Sequence, residues 1–192
     1  MSNTNSRRDF LVRGAVGGAC LLTFTLSGCE TKLTPTQARA MKVPFRSLNT
    51  SDVKTLEALG ETLVPGSSTA GLAHYLDHQL SGDAADSMLM IKYLGVAAPF
   101  NEFYRDGLRA TDAAAQSSHE KTFADLSLEQ ASALVSQMSG GHVNGWQGPP
   151  VGLFYFVLRS DAVDVVYGTQ AGFELLDVPY MAHIEPPSRW GE

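Results

Sequence analysis

Val151-Gly-Leu-Phe-Tyr-Phe-Val-Leu-Arg-Ser-Asp-Ala-Val-Asp-Val-Val-Tyr167, closed by Gly168, decides the fold class. Phe154, Val157, Leu158, Ala162 and Val165 recur at helical spacing and specify one buried helical face. Gly168 is expected to supply the left-handed residue that ends such helices. The tail from Thr169 to Trp190 holds Pro179, Pro186 and Pro187, so it cannot continue as one helix. It nevertheless carries Phe173, Tyr180, Met181, Ile184 and Trp190, too many apolar groups for a solvated end. An extended strap is expected, lying either on this domain or on another protein.

Upstream segments repeat the helical pattern. Asn49-Thr50-Ser51 offers caps for a helix carrying Val53, Leu56, Leu59 and Leu63, stopped by Pro65-Gly66. A short helix is predicted from Leu72 to Leu80. A longer one is predicted from about Ser87 to Leu108, kinked or divided at Pro99. Ala113 to His119 reads as a loop or a frayed helix start. Ser127 and Gln130 have the spacing of a capping box, opening a helix with Leu128, Ala131, Leu134, Val135 and Met138. Strand-like alternation is rare. The expected class is all-α, a compact irregular helical bundle with long loops and an extended C-terminal strap.

The first 28 residues read as an export signal. Arg7 and Arg8 stand before Phe10-Leu11 and an apolar segment, Ala15 to Leu26, too short to span a bilayer at about 20 residues. The paired arginines point to the twin-arginine route, and Leu26-Ser27-Gly28-Cys29 resembles a lipobox that would put a lipid on Cys29. Residues 29–47, with Pro35, Pro44 and no periodicity, read as a tether whose central 15 or so residues could extend about 50 Å. The folded domain is expected over 48–192. Both cysteines, Cys20 and Cys29, precede that domain, so it has no disulfide framework.

The chain has 192 residues, 44% hydrophobic, enough for one domain with a real core. Its formal charge is -6, and loss of residues 1–28 removes three arginines and one aspartate, taking it to -8. Such a balance argues against nucleic acid as a partner. It also means that anionic headgroups would repel the body, leaving membrane contact to the anchor or a partner.

Residues with chemical potential are few. His74, Asp77 and His78 share a helical face at a spacing used for metal ligation, or else form the polar side of a short surface helix. Asp161 and Asp164 could pair as catalytic carboxylates, or form an acidic edge facing solvent or a partner. The loop from Ser139 to Pro150 is either a connector with Trp146 plugging a groove or a docking loop with Trp146 as its anchor. No Gly-x-Gly-x-x-Gly fingerprint, Walker loop, Gly-x-Ser-x-Gly elbow or Cys-x-x-Cys-His haem site occurs.

Arg159-Ser-Asp161-Ala-Val-Asp164-Val-Val-Tyr167-Gly-Thr169, then Gly172-Phe173, Leu176, Val178-Pro-Tyr-Met-Ala-His-Ile184, Pro186-Pro187 and Trp190 resemble the end of the gluconate 2-dehydrogenase subunit 3 family. Leu56-Glu-Ala-Leu-Gly-Glu-Thr-Leu-Val-Pro-Gly66, with Asp77 beyond it, is similar to the family's opening, and the likeness spans roughly residues 48–190. The resemblance implies a small subunit without catalysis or cofactor of its own. Its partner would be a large FAD-containing dehydrogenase of the glucose-methanol-choline type, with a c-type cytochrome as a third subunit. The small subunit would assist maturation and carry the flavoprotein through twin-arginine export to the periplasm. Redox chemistry would then belong to the partner. Trp146, Asp161, Asp164, Tyr167, Phe173, Tyr180, His183 and Trp190 are the expected partner-binding residues. The rival readings are a free-standing metal-dependent lipoprotein enzyme using His74, Asp77 and His78, and a lipoprotein that binds an unrelated partner.

Overall fold

The chain enters the described region as a hairpin. A computed structural model describes residues 21–26 and 29–177. β1 (Leu22–Leu26) pairs antiparallel with β2 (Cys29–Leu33), Phe24 opposite Thr31 and Leu22 opposite Leu33. The alternation of a half-buried strand places Leu22, Phe24 and Leu33 in the core. α1 (Pro35–Ala40) follows directly. Thr34 accepts from the Gln37 N–H, the Gln37 side chain accepts from the Thr34 N–H, and Pro35 occupies the first turn.

These elements correct two expectations. Residues 29–47 are not a tether, because Leu33, Ala38 and Val43 are buried in the same core as the helices. Residues 22–26, expected to belong wholly to a signal, form a strand of the folded body. Arg7 and Arg8 lie outside the described residues.

α2 (Thr50–Leu63) is the central helix, opened by a reciprocal cap between Asn49 and Asp52. It touches α3 (Ser67–Ala70), α4 (Leu72–Ser81), α5 (Asn101–His119), α6 (Leu128–Ser139) and α7 (Val151–Tyr167). α8 (Gln170–Leu175) folds back on α7. Leu56, Leu59, Leu72, Leu76, Tyr104, Leu108, Phe123, Met138, Phe154 and Leu158 are fully buried among these helices. The all-helical class therefore holds, with the hairpin as its one addition among the described residues.

α7 follows its sequence pattern residue for residue: Phe154, Val157, Leu158, Ala162 and Val165 are all buried. Its stop works differently. Gly168 has φ -73°, and it is small because a Cβ would lie 2.5 Å from the Asp164 carbonyl oxygen. The helix expected from Ser87 is replaced by 3-10 turns at Ala84–Asp86 and Met90–Leu94, and α5 begins only at Asn101. Gly95 adopts a left-handed conformation and Pro99 has no N–H to donate, so residues 95–100 cannot join the two. The alanines at 113–115 instead extend α5, with Ala114 and Ala115 buried, as far as His119.

Candidate functional site

α4 turns its polar residues inward. Asp77 is 4% exposed, and its carboxylate accepts three backbone N–H groups: Arg46 at 2.9 Å, Ser47 at 2.8 Å and Leu48 at 2.8 Å. It thus fixes the segment that leads into α2. His74 is buried, and its Nε2–H donates to the Val43 carbonyl at 3.2 Å. The Nε2–H of His78 donates to the Thr23 carbonyl of β1 at 3.1 Å, and its ring meets Phe24 edge-on, centroids 5.1 Å apart. A carbonyl only accepts, so both rings carry their proton on Nε2. Nδ1 of each has no partner among the described residues. Burial lowers both imidazole pKa values, because it disfavours the charged ring by more than the carbonyl bonds and the nearby Asp77 favour it.

The metal reading of these three residues is therefore corrected, as is the reading of α4 as a surface helix. Each side chain is spent on a different backbone segment, and no group of three His, Cys, Asp or Glu among the described residues could hold a metal ion.

Asp161 is also not at an edge. It is fully buried, with Oδ2 accepting from the Tyr104 hydroxyl at 2.6 Å and Oδ1 from the Met90 N–H at 2.9 Å. One carboxyl ties α7 to α5 and to the Met90–Leu94 turn. Burial raises its pKa to about 7, against the pull of the Met90 N–H and the Tyr104 hydroxyl, and Asp164 adds to the rise. Tyr104 is raised well above its ordinary value by the same burial and by Asp161. The folded chain holds a proton on Asp161 that the unfolded chain would release above pH 3.8. This group's contribution is accordingly full below pH 3.8 and lost as pH rises through about 7. The stability difference between wild type and Asp161→Asn should shift by about 2–3 kcal/mol in favour of wild type on going from pH 8 to pH 5. His74 and His78 oppose that trend in both proteins, so the difference isolates Asp161. Urea unfolding at the two pH values checks it, and a difference independent of pH would contradict it.

The remaining expected contact residues are spread along α7, α8 and the loop before them. Asp164 is exposed, one turn beyond Asp161, and does not pair with it as a catalytic dyad because Asp161 faces the core. Tyr167 and Phe173 are half-buried. Trp146 is half-buried too, its Nε1–H donating to the Pro149 carbonyl at 2.7 Å and its ring 6.0 Å from that of Phe154. Its ring packs against the core beside α7. Tyr180, His183 and Trp190 lie outside the described residues. Phe156, Leu175 and Leu176 are exposed apolar residues on α7, on α8 and just after it; the amphipathic pattern alone did not single them out.

A groove of about 290 Å³ lies between the hairpin and α4, bordered by Phe24, Val43, Pro44, Arg46 and His78. Sequence reasoning missed it because it set residues 22–26 aside as signal. The capping box at Thr34–Gln37 was the available sign that the fold starts before residue 48. No helix among the described residues is long and apolar enough to cross a membrane. Cys29, at the head of β2, is exposed. The model of a known family, described as gluconate 2-dehydrogenase subunit 3, matches residues 50–182, from the first residue of α2 onward. No curated protein and no solved structure matches the chain significantly.

Proposed function

Because the chain belongs to the gluconate 2-dehydrogenase subunit 3 family, we propose that it is the non-catalytic small subunit of a periplasmic, FAD-dependent sugar or alcohol dehydrogenase. The family match from α2 through α8 is the observation that carries this reading. The internal use of Asp77, His74 and Asp161 supports it, since the residues with most chemical potential hold the fold together. The flavin and the substrate pocket then belong to the large subunit, and electrons leave through a c-type cytochrome. The paired Arg7 and Arg8 direct the loaded complex through the twin-arginine route, and an exposed Cys29 takes the lipid that retains it at the membrane.

Affinity purification of the tagged chain from solubilised membranes is expected to bring down a flavin-containing dehydrogenase in comparable amount. Recovery of the chain alone, or with an unrelated partner, rejects the subunit assignment. Replacing Arg7 and Arg8 by lysine should leave both subunits in the cytoplasm. Cys29→Ala should release the complex into the soluble periplasm without dissociating it, and unchanged membrane retention rejects the lipid anchor.

A further inference from the structure

Cleavage before Cys29 would do more than remove a signal, since it would also remove β1 from a folded site. β1 contributes Leu22 and Phe24 to the core, lies along β2 over five residue pairs, and offers the Thr23 carbonyl to His78. Without it, β2 keeps no strand neighbour among the described residues. The socket of Phe24 against α4 empties, and His78 is left with neither nitrogen bonded. An unpaired strand edge beside an apolar socket is a template for an incoming strand.

We propose that β1 is a placeholder, and that in the processed subunit the slot between β2 and α4 receives an extended segment of the dehydrogenase subunit. This rests on the processing and subunit readings above. β1 itself defines the occupant's chemistry. Leu22-Thr-Phe-Thr-Leu26 is uncharged, and its two core-facing residues are large, apolar and two apart. A second copy of this chain cannot supply that pattern from its own freed edge. Cys29-Glu-Thr-Lys-Leu33 has charges at alternate positions and no aromatic residue, with Leu33 as its only large apolar side chain. The groove already open beside β1, with Arg46 at its rim, gives an incoming strand a place to start before the slot is fully vacated. Occupation by the partner would tighten a complex already assembled for export once processing has emptied the slot, since the unprocessed chain fills its own slot.

The test uses the complex purified from cells, with p-benzoylphenylalanine placed at Arg46 in one variant and at Lys32 in another. Both are exposed, and Lys32 lies opposite the exposed Thr23, so neither replaces a core residue. Intact mass of the small subunit is recorded on the same samples. The expected result is a chain beginning at Cys29, with adducts from both positions mapping to one uncharged stretch of the dehydrogenase with large apolar residues two apart. A chain that retains residues 22–26, with adducts to them, overturns the processing reading and the proposal together. A chain beginning at Cys29 whose adducts fall on residues 178–192, on a second copy, or nowhere on a co-purified dehydrogenase overturns the docking proposal alone. Absence of any dehydrogenase overturns the subunit reading instead.

Discussion

Asp77→Ala is expected to lower the unfolding free energy by about 3–5 kcal/mol, because three backbone N–H groups lose their acceptor at once. Removing one partner of a buried bond leaves the other to bear its desolvation, about 1–3 kcal/mol per group, and the Leu48 N–H is fully enclosed. Water can reach parts of the Arg46 and Ser47 amides, which keeps the total below three full penalties. Asp77→Asn should recover only part of the loss, since its amide nitrogen would face donors instead of accepting from them. Denaturant unfolding followed by circular dichroism measures both variants. A ligand role for Asp77 would give the opposite outcome, an Ala variant within 1 kcal/mol of wild type that loses bound metal. Residues 46–48 should also become a preferred tryptic site in the alanine variant, because the carboxylate is what holds them against α4.

The same residue shows where sequence reasoning stops. α7 was legible because its pattern is periodic and the burial of Phe154 or Leu158 follows from spacing alone. Ser127 with Gln130 was legible because both partners of a capping box lie within one turn, and the reciprocal bonds form as the spacing implies. Asp77, His74 and Asp161 were not, since their partners lie 31, 31 and 57 residues away, in Arg46, Val43 and Tyr104. A polar residue on a helix looks solvated unless the distant backbone it satisfies is known, so all three were read as surface chemistry. The break before α5 was a matter of competing signals. Met88, Ile91 and Leu94 keep helical spacing, but Gly95 and Pro99 sever the hydrogen-bond ladder, and the turn is anchored through the Met90 N–H to Asp161. The hairpin escaped for another reason: an apolar run behind paired arginines is a targeting signal by pattern, and pattern does not exclude that its last five residues also fold.

That double use gives α1 a particular importance, since it joins the hairpin to the helical body. α1 docks where α3 meets α4, and the docking point is Gly71. Gly71 has φ +90°, in the left-handed region, and a Cβ there would stand 2.3 Å from the Pro35 carbonyl oxygen and 2.4 Å from its carbon. Both contacts are with backbone, so no side-chain rotation relieves them. The Thr36 hydroxyl donates to the Ala70 carbonyl at 3.1 Å and the Arg39 guanidinium to Ser68 Oγ at 3.2 Å, which hold α1 on the same spot. Gly71→Ala is therefore expected to cost about 2–4 kcal/mol, from left-handed strain together with the overpacking that displaces α1. Thermal unfolding measures the loss. Limited trypsin digestion locates it, with cleavage after Arg39 and Lys42 rising well above that at sites in α5. A freely extended connector over residues 29–47 would leave the digestion unchanged and limit the loss to left-handed strain, because nothing would then stand against Gly71. Gly66, also left-handed at φ +91° but with open space around it, provides the control. Gly66→Ala carries the strain without the clash and should cost roughly 1–2 kcal/mol with no change in digestion around α1. The difference between the two variants is the part of the stability that comes from seating α1, and with it the hairpin, on the helical core.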